Sequence, residues 1–221
     1  MSCVSINLLY MRTPIVISIL LLVLAFQFAA KCNNSKTASA PAAAPAAAPE
    51  VALKKRIITT ANTVKSYLSA HREYNDELVF LVDMRIESGK NRFFVYNLKD
   101  NKIVDEGLVA HGYGSETGDP GKLKFSNVKN SYCTSLGKYA IGKSYMGQFG
   151  KGYQLHGLDA TNNNALERYI VLHTYKSVPY EEQDGPIVNS LGCPMVNSVF
   201  FERLQTILDN SDKKIVLYIY Y

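Results

Sequence analysis

Hydrophobic and polar positions alternate along this chain in two different periods. Residues 58–71 repeat apolar positions at helical spacing, with Ile58, Val64, Tyr67 and Leu68 near one face and Thr59 or Thr60 as the expected N-cap. Three apolar runs follow at 78–86 (LVFLVDMRI), 92–98 (RFFVYNL) and 102–111 (KIVDEGLVAH), separated by the turn-rich ESGKN and KDN. That punctuation predicts an antiparallel meander. Residues 112–137 are loop-dense, and a long irregular stretch inside a compact domain usually forms a functional rim. Short apolar runs resume at 138–142, 153–158 and 169–175. The segment 196–209 fits an amphipathic helix with Val199, Phe200, Leu204, Ile207 and Leu208 inward. The closing run KIVLYIYY is apolar at successive positions, as expected of a strand buried on both faces. No internal repeat is present. The pattern predicts one β-rich domain with two or three short helices.

The first fifty residues have another character. Positions 15–30 (IVISILLLVLAFQFAA) carry no charge, follow Arg12 and precede Lys31. A positive start, an apolar middle and a small-residue exit make residues 1–31 a secretory signal, with Met11 read as the true start. The run is short of the roughly 20 apolar residues that span a bilayer. Two endings are open: cleavage near Ala30, or lipidation of Cys32, against which Lys31 breaks the small-residue pattern. Either one takes the domain out of the cytoplasm, to the periplasm or cell envelope, free or lipid-anchored. Residues 32–50 read as a Pro/Ala-rich tether, extended and semi-stiff. The domain then occupies 51–221.

Composition narrows the class of function. Of 221 residues 47% are hydrophobic and 19% charged, which excludes a disordered chain. A net charge of +5, dispersed along the chain, is too small for a nucleic-acid footprint, so no nucleic-acid partner is expected. Four Cys and four His show no CxxC, HxxxH or HExxH spacing, so neither a metal nor a cofactor is expected.

The sharpest chemistry lies in Ser190-Leu191-Gly192-Cys193-Pro194, twenty residues after His173 in YIVLHTY. A nucleophilic thiol needs a base to make it a thiolate and N–H donors to hold the oxyanion it generates. His173 at a strand end supplies the base. Ser190 and Gly192 let the backbone turn so that N–H groups point at a substrate carbonyl, each such donor contributing about 3 kcal/mol to the transition state. Pro194 disfavours the helical region for Cys193. Milder readings stand beside these. Cys193 pairs with Cys133 in a disulfide if the exported domain is oxidised. His156 and Gly157, in Leu155-His156-Gly157-Leu158, line a cleft or merely occupy a half-buried strand. His111 is a turn residue, and His71 ends a helix. Ser190 bonds substrate or only its own turn. Arg168 pairs locally or grips a carboxylate.

These motifs together resemble the YkuD-type murein L,D-transpeptidases, whose signature is a His, a spacer, then Ser/Thr-His-Gly-Cys. Here sixteen residues separate His173 from Ser190-Leu191-Gly192-Cys193. The resemblance is stronger to the branch ending in SxGCP. It extends over His111-Gly112, Phe125-Ser126-Asn127, Thr134-Ser135-Leu136-Gly137, Leu155-His156-Gly157-Leu158 and Asn164 to His173. It implies a mainly β, sandwich- or barrel-like catalytic domain with two or three short helices, and no cofactor. It implies that Cys193 attacks the L-centre carbonyl of a peptidoglycan tetrapeptide stem, releases D-Ala and leaves a thioester for an acceptor amine. His173 would be general base and acid, the Thr174 carbonyl would orient its ring, and Gly192 and Cys193 N–H would form the oxyanion hole. Acylation by carbapenems follows from the same resemblance, and a monomer is expected. Three departures bear on substrate: Leu191 stands where the broad family has His, Thr174 where Gly is usual, and Val188-Asn189 where an Arg is common. An L,D-carboxypeptidase on the same stem, or a non-catalytic wall-binding lipoprotein of the same fold, is the alternative.

Overall fold

The computed structural model describes residues 47–221. The expected signal, the Cys32 anchor and most of the tether lie outside the described residues. Among the described residues no helix is long and apolar enough to cross a membrane.

The first helix, α1 (Ala47–Ala70), is 24 residues long, so the expectation of short helices is corrected. It begins before the expected N-cap, and Thr59 and Thr60 are interior. Pro49 sits in its first turn, where a missing N–H breaks no helical bond. Ile57, Ala61, Val64 and Leu68 form the buried stripe. That stripe covers Val79 and Leu81 of β1 (Tyr74–Asp83), Phe94 and Tyr96 of β2 (Phe93–Asn97) and Val216 of the last strand, β9 (Lys214–Tyr220). The alternate residues Phe80, Val82, Phe93, Val95, Leu217 and Ile219 face the main core. Two-sided burial explains why these strands read as unbroken apolar runs. Arg56 adds an ion pair to buried Asp83 at 2.9 Å.

The meander is present: β1 and β2 pair antiparallel, as do β2 and β3 (Lys102–Gly107). The run 102–111, however, is two strands. The chain leaves β3 at Gly107, passes Leu108, and forms β4 (Val109–Ala110) at the other end of the sheet. With β5 (Gly137–Gly147), β6 (Gly150–Gly157), β7 (Val171–Thr174) and β8 (Met195–Val196), nine strands lie in the order β3-β2-β1-β9-β5-β6-β7-β8-β4. The outermost strands, β3 and β4, are thus separated by one residue, which places Gly107 and Val109 within about 7 Å. The sheet has to roll until its edges meet.

Arg92 staples that seam. It is 1% exposed, and its Nε and Nη2 donate to Val109 O at 2.9 and 2.7 Å while Nη1 donates to Ile86 O at 3.1 Å. The second helix, α2 (Ser198–Asp209), packs Phe200, Phe201 and Leu204 into the rolled core, capped by Asn197 Oδ1 on Val199 N–H. Val199, expected inward, is 47% exposed, because at 3.6 residues per turn it lies on the side of the helix away from Phe200, Phe201 and Leu204.

Candidate active site

β7 and β8 run parallel with His173 opposite Met195. Carrying that register back two residues sets Cys193 beside Val171, and Val171 N–H donates to Cys193 Sγ at 3.5 Å. The thiol lies 3.6 Å from Tyr169 O. Leu172 belongs to the main core, so Val171 and His173 share the opposite face of β7. The twenty-residue spacing is therefore closed by strand pairing, which brings imidazole and thiol to one sheet face.

His173 Nδ1 is 3.0 Å from Thr174 O. A carbonyl only accepts, so Nδ1 carries the hydrogen and Nε2 keeps its lone pair. Burial holds the His173 pKa below the ordinary imidazole value, with the Thr174 bond pulling the other way. Burial raises the Cys193 pKa, opposed by the Val171 N–H and the Arg168 charge. Both shifts favour the neutral forms, thiol and imidazole. In this state Sγ bonds to Val171 and Tyr169, and among the described residues no hydrogen bond joins it to His173. Phe149, in the β5–β6 hairpin tip, stacks on His173 with centroids 5.1 Å apart and is itself met edge-on by Tyr175.

Gly192 has φ +114, a conformation only glycine adopts easily, and a Cβ there would meet Cys133 O at 2.9 Å. Its N–H donates to Ser190 Oγ at 3.0 Å. The expectation that this N–H forms the oxyanion hole is corrected, since a proton already held in the turn is not free for substrate. Cys193 N–H makes no hydrogen bond among the described residues. Ser190 is docked by its backbone, its N–H on His111 O at 2.7 Å and its O on Tyr113 N–H at 2.8 Å. Leu191 projects outward, 66% exposed.

Other expected site residues take other places. Arg168 donates to Ser126 O, Ser135 Oγ, Cys133 O and Ser131 Oγ, which commits four of its five N–H groups to the 126–135 loop. It bears on Cys193 only through its charge. His156 lies on the same face of β6 as Gln154, against Gly142. It is four residues along β6 from Gly152, the partner of His173, or roughly 13 Å. Among the described residues no hydrogen bond joins it to Cys193 or His173. Gly157 gives close approach to Asn162, whose Oδ1 would lie 2.6 Å from a Cβ. Cys133 and Cys193 are both free, and Cys133 Sγ is directed at Gly114 O, so the disulfide is not formed.

Sequence reasoning missed Phe149 and Tyr169. Tyr169 has φ +56 and is 80% exposed beside the thiol. Nothing in their local sequence marks either one; both reach the site by the fold. His111, expected as a turn residue, is instead buried between Arg92 and Glu116. A cavity of about 450 Å³ lined by Arg85, Ile86, Glu116, Leu123 and Asn189 borders the start of the 190–193 turn but includes neither Cys193 nor His173. Among the described residues no group of three or more His, Cys, Asp or Glu is arranged to hold a metal.

A profile of the L,D-transpeptidase catalytic domain matches residues 50–220. No curated protein matches. Among solved structures, the L,D-transpeptidase (residues 123–326) of Xylanimonas cellulosilytica is 14% identical, with a TM-score of 0.37, over 65% of this chain and 60% of that one. L,D-transpeptidase 3 of Mycobacterium tuberculosis, in complex with a faropenem-derived adduct, is 13% identical, with a TM-score of 0.35, over 66% and 60%. The Ldtfm-avibactam carbamoyl enzyme is 12% identical, with a TM-score of 0.41, over 66% and 50%. The chain thus spans 60% or less of the length of each of these three structures.

Proposed function

The chain belongs to the L,D-transpeptidase catalytic-domain family, and from that premise we propose that it is a cysteine acyltransferase acting on peptidoglycan stem peptides. One observation carries the residue assignment. Cys193 and His173 share a sheet face, and the Thr174 carbonyl fixes the ring tautomer that leaves Nε2 free.

In this reading the thiol turns from Tyr169 O towards Nε2, which takes its proton as Sγ attacks the L-centre carbonyl of the stem. Cys193 N–H donates to the oxyanion that forms. Collapse breaks the bond to the terminal D-Ala, whose leaving nitrogen takes the proton from Nε2, and a thioester remains on Sγ. An acceptor amine, deprotonated by the now neutral His173, attacks the thioester and restores the thiol. Burial suits this sequence: a thiol kept protonated at rest is protected from adventitious oxidation, and a base kept neutral is ready near neutral pH. The reaction takes place outside the cytoplasm, so the reading goes with export through the leader at 1–31.

The test is intact mass after incubation with a carbapenem, comparing wild type with Cys193→Ala. A stoichiometric adduct on the wild type alone is expected, with the variant's Tm within a few degrees. A reduced wild-type thiol that takes no adduct would overturn the assignment. Incubation with a tetrapeptide stem then separates the outcomes. A 3–3 cross-linked dimer marks transfer to an amine, and tripeptide alone marks the carboxypeptidase.

A further inference from the structure

The barrel seam and the nucleophile's elbow meet at one imidazole. His111 follows β4 and is 3% exposed. Its Nδ1 is 2.9 Å from Arg92 Nη2, and its Nε2 is 2.7 Å from Glu116 Oε1. A guanidinium only donates, so Nδ1 is the acceptor and Nε2 carries the hydrogen that Glu116 receives. The tautomer is set from both sides: cation, neutral imidazole, carboxylate. Protonation of the ring would set an N–H against the Arg92 donor and a second cation beside it. Burial and Arg92 both push the His111 pKa down, against Glu116, while Asp83 and Glu116 are the carboxylates whose charge Arg92 feels.

The same residue holds the elbow through its backbone. Ser190 N–H donates to His111 O, Tyr113 N–H donates to Ser190 O, and Asn189 Nδ2 reaches Glu116 Oε1 at 3.2 Å. Gly112 lies directly against Gly192, where a Cβ on residue 112 would meet Gly192 N and Cα at 2.9 Å. Ser190 Oγ in turn accepts Gly192 N–H, one residue before the thiol. An unbroken set of contacts thus runs from Arg92 at the seam to the peptide that bears Cys193 N–H.

We propose that His111 is a positioning residue, its neutral ring clamped between Arg92 and Glu116 so that its backbone sets the Ser190–Cys193 elbow and aims Cys193 N–H at the developing oxyanion. The catalytic consequence rests on the transpeptidase reading; the ordering of the elbow rests on the geometry alone.

Two substitutions separate this from a space-filling role. A glutamine offers an amide oxygen and an NH₂ much as the ring offers its two nitrogens, so His111→Gln can accept from Arg92 and donate to Glu116. His111→Phe keeps the bulk and removes both bonds. In His111→Phe, carbapenem acylation of Cys193 is expected to fall about 100-fold, as for a small misplacement of catalytic groups. Alkylation by iodoacetamide, which needs the thiol but no oxyanion donor, stays within about threefold. Amide exchange over 189–193, read by mass spectrometry, quickens about tenfold as the elbow loosens. His111→Gln restores both acylation and exchange. Parallel loss of acylation, alkylation and Tm that Gln does not rescue overturns the proposal in favour of a general structural role. Unchanged exchange in His111→Phe overturns it whatever the acylation rate. If the wild-type thiol alkylates yet takes no carbapenem, it is the transpeptidase reading that fails. Amide exchange still decides the clamp: faster in Phe and restored in Gln supports it.

Discussion

His173 and His111 are both buried, and burial holds both below the ordinary imidazole pKa. They differ in what meets the second ring nitrogen. His173 has one nitrogen held by Thr174 O and the other without a hydrogen bond among the described residues. His111 has both nitrogens held, by a donor on one side and an acceptor on the other. On the readings proposed here, the imidazole with a free lone pair acts as a base and the one saturated on both sides as a joint. Burial and pKa alone do not separate the two roles; the hydrogen-bond partners do. The surroundings agree. Around His173 lie Phe149, a thiol and an exposed tyrosine. Around His111 lie the Arg92 guanidinium, the Glu116 carboxylate and two strands of a closing sheet.

The comparison breaks most sharply at His173. His173→Gln keeps a polar side chain but no base, and carbapenem acylation should fall about 1,000-fold with Tm nearly unchanged. A fall of less than about tenfold would remove His173 from the proton path. For the wild type the sign of the pH dependence follows from the neutral ring. As the proposed base, His173 would work only when unprotonated, and its pKa lies below the ordinary 6.5. Acylation rates should therefore hold their plateau just under pH 6.5 and drop only as pH falls through the depressed value. Unfolding exposes both rings at their ordinary pKa, so folding stability already declines as pH falls below about 6.5 and levels off below the depressed folded-state values, while the acylation plateau outlasts the start of that decline.

The seam offers the next effect. Arg92→Leu removes four hydrogen bonds and leaves Val109 O, Ile86 O and His111 Nδ1 without their donor. Burial pushes the Arg92 pKa down to about 9, a sign of how thoroughly the cation is taken out of water. Urea denaturation should show a loss of about 3 kcal/mol, the order expected when buried acceptors lose their partners. A loss under about 1 kcal/mol would mean that the edges meet without the staple.

Phe149→Ala is the smallest and the most discriminating. Removing the ring that stacks on His173 admits water, relieves part of the desolvation and lets the imidazole pKa rise towards its ordinary value. The acid limb of the acylation profile should move up by a fraction of a unit, and the same limb in a Tyr113→Ala control should stay in place. Tyr113 stacks on Tyr132 and touches neither nitrogen of His173.

Much of this was readable along the chain. The turn-punctuated runs at 78–107 are the meander, and KIVLYIYY is a strand with both faces covered, because local period and two-sided burial are written in consecutive residues. The return of residues 190–196 beside the strand that carries His173 was expected from the spacing and the family resemblance, and β7 and β8 do pair. Less was readable where satisfaction is long-range. The run at 102–111 carries no mark that Leu108 divides it between opposite ends of a sheet. Gly192 reads as an oxyanion donor until Ser190 Oγ is seen to take its N–H. His111 reads as a turn histidine because its partners stand nineteen residues before it and five after.

The amino-acid sequence by itself determined most of the elements, the two faces of the long strands and the spacing of Cys193 from His173; these depend on periodicity, turn chemistry and glycine's freedom at positive φ. Only the tertiary structure decided that β9 lies between β1 and β5, that the sheet rolls until β3 and β4 meet, and which nitrogen of each buried histidine is free. Those outcomes turn on buried polar groups finding partners across the fold, and such partners are set by where the chain returns, not by what stands next to each residue.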